Sequence, residues 1–377
     1  MIHEEFIDPL EDLIQQTNNE IIGIIARRVK SFEGLTPTEI NKLANLSRTK
    51  DLNEIKRILA DLTEKTEQEI QKIFEKSASA NDQLAKRLFE AQNIPQATYL
   101  SNKQLKSILE QFMGETSEKV LNLSKTRAFV IDGKVTDVSK AYTNVINRAI
   151  YQSSQGLVDY KTAMRRSVME LAQSGIQVVE SDTGYTRRLD SQVRMNVLDG
   201  LSQMNMAYYE QQGEEFGADG YEISAHALCA EDHLRIQGKQ YTKEQYKAIN
   251  SSLVRPIGTM NCRHVAYPIL IGISEPAYTS NELNEIANKS TEQVTYTDLL
   301  GEKKTVTRYQ ATQRQRQIET QIRRLKDEKY ALEQMGDNVG AREVQKKITE
   351  KVKYYKKMSN EVGLSPKLDR LSVNKLR

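Results

Sequence analysis

The sequence contains no tryptophan and only two cysteines among its 377 residues. Two cysteines cannot form the disulfide framework of a cysteine-rich secreted protein. No apolar run approaches the roughly 20 residues that a transmembrane helix needs. The segment from Met1 to Glu5 has neither the basic nor the apolar part of a signal peptide. We therefore expect a protein that is made and kept in a reducing cytoplasm and has no membrane partner.

The sequence also lacks a strong excess of charge of either sign, because 54 Lys and Arg offset 51 Asp and Glu. With a net charge of +3, any attraction to nucleic acid must come from local patches. Hydrophobic residues make up 38% of the chain and charged residues 28%, with a mean hydropathy of −0.62. These values are typical of a polar, helix-rich and elongated chain with several modest cores.

Helix signals dominate the first half of the chain. Asp8-Pro9 places an N-cap residue before a proline, and Thr36-Pro37-Thr38-Glu39 combines proline with a capping box. Asp51 and Glu54 have the same spacing and predict a third helix start. The apolar residues that follow each signal recur at helical spacing in narrow stripes. Such stripes are usually intramolecular cores and sometimes oligomer interfaces, so we expect these helices to pack against other helices or another chain.

Turn residues and short strand patterns divide the chain into further units. Short β-branched or alternating runs predict strands at Ile176–Val179 and Tyr221–Ser224. We expect a mainly α protein with an elongated helical N-terminal part, a small α+β Cys/His module and a C-terminal antiparallel helical hairpin. The predicted units are a helical N-terminal region (1–130), a helical block with a short strand (131–217), the Cys/His module (218–280), a linker with one candidate short helix from Asn281 (281–308), a basic helical hairpin (309–358) and a flexible tail (359–377).

The predicted hairpin is rich in basic residues. Between Arg308 and Lys357 we count fourteen Lys and Arg against seven Asp and Glu. Its functional interpretation is an arm that binds phosphate or a partner, and its plainer interpretation is a solvated coiled-coil surface. The candidate contacts to DNA or a partner are Arg314, Arg316, Arg323, Arg324, Lys346, Lys347, Lys353, Lys356 and Lys357.

Both cysteines and three of the four histidines fall in one short window. They form two close pairs, His226-x-x-Cys229 and Cys262-x-His264, with His233 between them. This spacing is typical of a four-ligand zinc site, which would be closed and structural. The alternative is a module without metal, in which the same side chains hydrogen-bond to one another in a small polar core.

A catalytic interpretation of this window is weaker. Asp232 lies beside His233, and Asn261 precedes Cys262, as in a metal-dependent nuclease in which an imidazole activates water. The chain has no Gly-rich phosphate loop, no Gly-x-Ser-x-Gly elbow and no His-Glu-x-x-His motif. Asp232 has a plainer role in orienting a ligand histidine. We therefore expect no enzymatic activity.

The same window resembles a known family in three ordered segments. Ser224 to His233, Gln237 to Tyr241 and Asn261 to His264 are similar to the phage minor capsid protein 2 family, which is itself similar to Mu-type head morphogenesis proteins. The resemblance implies a structural virion component, present in few copies inside the phage head near the portal and made in the host cytoplasm. It implies portal and capsid proteins as partners, with packaged DNA as a further candidate, and no small-molecule substrate.

The resemblance also affects the choice of ligands. Where many family members have Ala-Arg-Pro before the middle histidine, this chain has Cys229-Ala230-Glu231. His233 is therefore an alternative to Cys229 as the fourth zinc ligand. The motif residues that carry over from the family are His226, His233, Gln237, Gly238, Lys239, Cys262, Arg263 and His264.

Overall fold

The computed structural model is mainly α, as the sequence predicts. It describes residues 6–90, 102–125, 127–131, 134–154, 160–179, 186–215, 217–259 and 262–371. Within these ranges, no helix combines the length and apolar character needed to cross a membrane. The described helices are α1 (Asp8–Lys30), α2 (Pro37–Glu90), α3 (Lys103–Lys125), α4 (Val138–Ser154), α5 (Tyr160–Ser174), α6 (Leu189–Glu215), α7 (Glu231–Leu234), α8 (Lys243–Ser252), α9 (Ser280–Thr291), α10 (Arg308–Gln334) and α11 (Asn338–Glu361).

Three small antiparallel sheets accompany these helices. Their strand orders are β2-β1-β3-β4, β6-β5-β7 and β8-β9. The two strands predicted from sequence correspond to β3 and β5. The strands are β1 (Arg127–Ile131), β2 (Lys134–Asp137), β3 (Gln177–Val179), β4 (Thr186–Arg188), β5 (Gly220–Ile223), β6 (Gln240–Thr242), β7 (Ala266–Ile269), β8 (Gln293–Thr297) and β9 (Lys303–Thr307).

The largest apolar core lies mainly among the first 208 residues and also includes Ala331 of α10. The predicted stripe of α1 faces this core, and its residues Leu10, Ile14, Ile21 and Ile25 are all buried. Phe74 of α2 is fully buried beside them in the same cluster. Burying a large apolar side chain contributes about 1.5 to 3 kcal/mol, so these helices stabilise one another by packing.

The helix start predicted at Asp51 is wrong. Helix α2 runs without interruption from Pro37 to Glu90. Asp51 is buried in its middle and accepts hydrogen bonds from Arg28 at 2.6 Å and from the Tyr142 hydroxyl at 2.5 Å. A buried carboxylate needs such partners, so the residue joins α1 and α4 to α2 and caps no helix. Asp51 and Glu54 have the spacing of a capping box, but they lie inside a continuous helix.

A buried group of charges connects α10 to the N-terminal helices. Arg188 donates to Asp327 at 3.0 Å and to Asp190 at 3.4 Å, and Arg323 of α10 lies 3.4 Å from the same Asp190. Burial alone would raise the pKa of Asp190, but the two guanidinium groups outweigh it and hold that pKa well below its usual range. The C-terminal hairpin is therefore anchored to the rest of the fold by charges as well as by apolar contacts.

The predicted C-terminal hairpin is present as α10 and α11. Thr307 and Gln310 form the capping box at its start, and Asp337 accepts a hydrogen bond from the backbone N–H of Gly340 where α11 begins. A second core cluster holds its apolar residues Ile318, Ile322, Leu332, Val344 and Ile348.

The segment predicted as a linker contains a short helix near Asn281, where the sequence indicates one, and also a β-hairpin that was not expected. It contains α9, which begins with a capping box of Thr279 and Glu282, followed by the hairpin of β8 and β9. Val294 and Tyr296 alternate inward from β8 and pack on the second core. Thr, Gln and Lys on the outer face made this period-2 pattern look polar in the sequence.

The predicted tail begins inside α11 and is partly ordered. Ser359 of α11 is buried, and Leu371 is buried at the end of a short 3-10 helix (Leu368–Leu371). The Tyr355 hydroxyl accepts a hydrogen bond from the backbone of Lys367 at 2.9 Å. Contacts to α10 and α11 therefore hold residues 362–371, and the predicted tail beyond 371 lies outside the described residues.

Candidate metal centre

Strands β5 and β7 bring the Cys/His cluster together. They pair antiparallel, so Ile223 at the end of β5 lies opposite Ala266 at the start of β7. The turn after β5 carries His226, and the short helix α7 that follows carries His233. The segment before β7 carries Cys262 and His264. Residues distant in sequence therefore meet at one end of the sheet β6-β5-β7.

Three side chains converge closely at this end. The Nδ1 atoms of His233 and His264 lie 3.2 Å apart, and the Cys262 Sγ atom lies 3.5 Å from each of them. His233 and His264 are only 3% and 1% exposed, while Cys262 is half-buried. A group of two imidazoles and one thiol with this geometry is able to hold a metal ion.

The three distances match those expected around a tetrahedral zinc ion. Zinc bonds of about 2.0 Å to nitrogen and about 2.3 Å to sulfur place two tetrahedral nitrogens about 3.3 Å apart and nitrogen and sulfur about 3.5 Å apart. The observed separations of 3.2 Å and 3.5 Å agree with both values. The donor atoms are therefore spaced for coordination.

Gln237 fixes the orientation of the His264 ring. The Gln237 Oε1 atom accepts a hydrogen bond from the backbone N–H of His226 at 3.1 Å, which identifies it as the oxygen of the amide. The same oxygen lies 2.9 Å from His264 Nε2, so Nε2 must carry the proton. In the neutral ring, the lone pair is then on Nδ1 and points into the cluster.

His233 is oriented in the same way by a backbone group. Its Nε2 atom lies 2.8 Å from the carbonyl oxygen of Arg255, which can only accept, so Nε2 donates and Nδ1 faces His264. Two lone pairs 3.2 Å apart repel each other unless a cation or a proton lies between them. Such hydrogen bonds from the far nitrogen are usual in histidines that bind metals.

A proton is the alternative occupant of this cluster. Burial and the neighbouring imidazoles of His226 and His233 lower the pKa of His264 to about 3, so that ring stays neutral. Burial lowers the pKa of His233 as well, but contact with Cys262 outweighs it and raises the pKa overall. Without a metal, hydrogen bonds among Cys262, His233 and His264 would hold the cluster, which is the polar core considered from sequence.

His226 lies beside the trio but outside it. Its ring is 4.2 Å from that of His264, centre to centre, and its Nδ1 donates to the carbonyl of Ala227. Its Nε2 is buried and has no hydrogen-bond partner. Burial, chiefly, lowers the pKa of His226, so this nitrogen carries a lone pair. The ring packs at a tilt against a candidate ligand, His264, and is not one of the three converging donors.

Cys229 is also outside the trio. Its Sγ atom contacts Gln237 Oε1 at 3.6 Å, and burial raises the pKa of the thiol to about 11. The preceding residue, Leu228, has a φ of 64° and donates its backbone N–H to the Ser290 hydroxyl. The turn therefore directs Cys229 towards Gln237, and the structure groups His233, in its place, with Cys262 and His264.

The other motif residues surround the cluster. Asp232 accepts a hydrogen bond from the backbone N–H of His233 at 3.1 Å, and the Lys239 ammonium donates to the carbonyl of Arg235 at 2.8 Å. Gly238 has a φ of +66° and lies against Leu283. Arg263 is exposed beside the cluster. Asn261 lies outside the described residues.

Two partners of the site were missed from sequence. The carbonyl of Arg255 orients His233, and the Ser290 hydroxyl holds the turn at Leu228. A backbone carbonyl has no residue-specific signal, and Ser290 lies in a segment taken as a linker. Only the folded chain brings them to the cluster.

The basic residues proposed for the hairpin differ in their surroundings. Arg323 pairs with the buried Asp190, and Arg314 donates to Gln317 at 3.0 Å. Lys357 lies 3.7 Å from Glu361. The remaining candidates are exposed on α10 or α11, namely Arg316, Arg324, Lys346, Lys347, Lys353 and Lys356.

Comparison with known proteins gives one finding. A family model described as phage minor capsid protein 2 matches residues 3–358. No curated protein and no solved structure shows a significant match to this chain. The match covers nearly the whole chain, including the helical N-terminal part, the cluster and most of the C-terminal hairpin.

Proposed function

Because the chain belongs to the phage minor capsid protein 2 family, we propose that it acts inside the phage head, close to the portal, as a structural component. The family match over residues 3–358 carries this proposal. Membership of a capsid family suggests a structural, non-enzymatic role and contact with other phage structural proteins.

Exposed apolar residues at the β8-β9 turn support docking to another virion protein. Leu299 and Leu300 are 59% and 85% exposed. Exposure of such large apolar side chains to water is unfavourable unless another surface covers them. Apolar residues of this kind are typical anchors at the centre of an interface.

The location is tested by isolating phage heads and portal complexes. We expect the chain in purified heads and in complexes captured on tagged portal protein. A Leu299→Ser/Leu300→Ser variant should be captured less, and Leu46→Ser, at a leucine 81% exposed on α2, is the matched control. Purified heads that lack the chain would overturn the proposal.

We also propose that one zinc ion is bound by His233, Cys262 and His264. The spacing of their donor atoms and the two oriented imidazoles support this assignment. A thiolate and two imidazoles suit a borderline-soft ion, which would cross-link α7 to the segment before β7. These three residues supply three ligands of a tetrahedral ion.

Elemental analysis of the purified full chain tests the metal. We expect about one zinc per chain, as for a single tetrahedral site. Cys262→Ser should remove it, while Cys229→Ser should retain it because Cys229 contacts Gln237 instead. If a chain purified without chelator contains no stoichiometric metal, the zinc proposal is wrong and the metal-free polar core is the correct interpretation.

A second candidate function is DNA binding by α11. Four of its lysines, Lys346, Lys347, Lys353 and Lys356, are exposed, which favours a basic surface towards packaged DNA. Replacing all four with Gln should lower retention on DNA. The slope of the logarithm of the binding constant against the logarithm of salt concentration should fall by about four at most, one for each lost phosphate contact. Retention that is unchanged by these substitutions would reject the hairpin as the DNA contact.

A further inference from the structure

A cleft of about 410 Å³ separates the cluster from the C-terminal hairpin. One wall is formed by the turn from His226 to Ala230 together with the three clustered side chains. The other wall is formed by the first turns of α10 and by residues between Leu364 and Arg370. The cluster therefore lies at the side of a space large enough for a small ligand.

The charge of this cleft is strongly one-sided. Among the described residues that line it, five are basic and one, Glu319, is acidic. Glu319 is buried and accepts a hydrogen bond from the Tyr355 hydroxyl at 2.7 Å. Positive charge on low-dielectric walls attracts anions more strongly than the same charge on a flat surface. The basic residues are Arg255, Arg263, Arg316, Lys367 and Arg370.

The cluster adds to this preference for anions. His233, Cys262 and His264 all line the cleft. Three protein ligands leave the fourth tetrahedral position of a zinc ion for an outside donor, unlike the closed four-ligand site expected from sequence. This step rests on the proposed metal, whereas the basic walls do not depend on it.

We propose that the cleft binds a phosphate-bearing ligand of about the size of one nucleotide. Guanidinium groups match phosphate oxygens in geometry and charge, and Arg255 and Arg263 both lie on the cluster side. The volume suits a mononucleotide or the phosphorylated end of a single strand. This ligand departs from the expectation that the chain binds no small molecule.

Isothermal titration of the zinc-loaded full chain tests the proposal. The probes are inorganic phosphate, a 5′-mononucleotide, and a short single-stranded oligonucleotide with and without a 5′-phosphate. We expect saturable binding of the mononucleotide that is tighter than that of inorganic phosphate. Tighter binding of the 5′-phosphorylated strand than of the mononucleotide would identify a strand end as the source of the phosphate.

Two charge-matched variants separate this cleft from general attraction to basic surfaces. Arg255→Gln/Arg263→Gln should weaken mononucleotide binding about tenfold or more, because it removes two charged donors that match phosphate oxygens. The backbone carbonyl of Arg255 remains in this variant and still accepts from His233. The control is Arg57→Gln/Arg342→Gln, at two exposed arginines outside the cleft, which should bind as the unaltered chain does.

Zinc content measured on the same samples keeps the two proposals distinct. Saturable binding that depends on Arg255 and Arg263 in a chain without zinc would support the phosphate site and reject the metal. A zinc-loaded chain that binds no mononucleotide, or that binds equally after both pairs of substitutions, would overturn the phosphate site and leave the metal intact.

Discussion

The N-terminal helices and the Cys/His module are stabilised in different ways. The N-terminal core contains fully buried Phe32, Phe74, Phe129 and Tyr142 among many aliphatic side chains. In the described part of the module, the apolar cluster has three buried members, Ile223, Ile236 and Ile257. The interior of the module instead contains the buried polar side chains His233, Gln237 and His264.

This difference indicates two sources of stability in one chain. Apolar burial at about 25 cal/mol per Å² is sufficient for helices that cover one another. A module whose apolar cluster has so few buried members gains little in this way and needs a cross-link or a satisfied polar network. Gln237, which contacts His264, His226 and Cys229 through one oxygen, is the centre of that network.

Removal of the metal should have the largest effect, and it should destabilise the module without affecting the N-terminal helices. Zinc binding contributes about 10 kcal/mol or more to the folding of small zinc modules, so Cys262→Ser or a chelator should open this module. Hydrogen exchange measured by mass spectrometry should show faster exchange in β5, α7 and β7. Exchange in α1 and α6 should stay slow, and Cys229→Ser provides the control. Equal acceleration in all of these elements would contradict separate sources of stability.

Phe74→Ala should give the reverse pattern. Truncation of a fully buried Phe costs about 3 to 5 kcal/mol through lost burial and a cavity, so the free energy of unfolding in urea should fall by this amount. Zinc content should not change. Leu46→Ala, on the same helix but at a residue 81% exposed, should change the free energy of unfolding little. A loss of zinc in Phe74→Ala would show that the two regions depend on each other.

Gly238→Ala tests how tightly the module is packed. The residue has a φ of +66°, and an added Cβ would overlap the Leu283 side chain, so we expect a loss of about 1 to 3 kcal/mol in module stability. Gly217→Ala is the matched control, because its φ is +77° with no atom within 4 Å of the added Cβ. The difference between the two variants measures the overlap alone, and equal losses would assign the whole effect to backbone strain.

Exposed charges of the hairpin should matter least to stability. Lys353→Gln/Lys356→Gln should change the free energy of unfolding by less than about 0.5 kcal/mol, because both side chains are exposed. Urea denaturation monitored by circular dichroism checks this value. A loss above 1 kcal/mol would mean that these lysines make contacts that stabilise the fold.

Much of the helical structure was predictable because its signals are local. The stripe of α1, the capping box at Thr36 and Glu39, and the break near Gly336 each depend on residues within one or two turns. The exceptions have physical reasons. Asp51 has the sequence pattern of a cap but is buried among Arg28 and Tyr142, and the β8-β9 hairpin is polar on its outer face.

The cluster was predictable only in part. Sequence spacing identified the window and the contact between the Cys262 segment and the histidines. It did not distinguish Cys229 from His233, because that choice depends on the turn at Leu228 and on contacts of Gln237. The basic wall contributed by Lys367 and Arg370 lies about 100 residues further along the chain, where no local pattern connects it to the cluster.

The sequence by itself determined the helices, the strand that leads to His226 and the set of soft ligands, since periodicity and residue chemistry act over short distances. The tertiary structure alone decided which nitrogens of His233 and His264 face each other, and that they face a basic cleft. Those features depend on the Arg255 carbonyl, the Gln237 amide and the packing of α10, and contacts between distant segments form only when the whole chain folds.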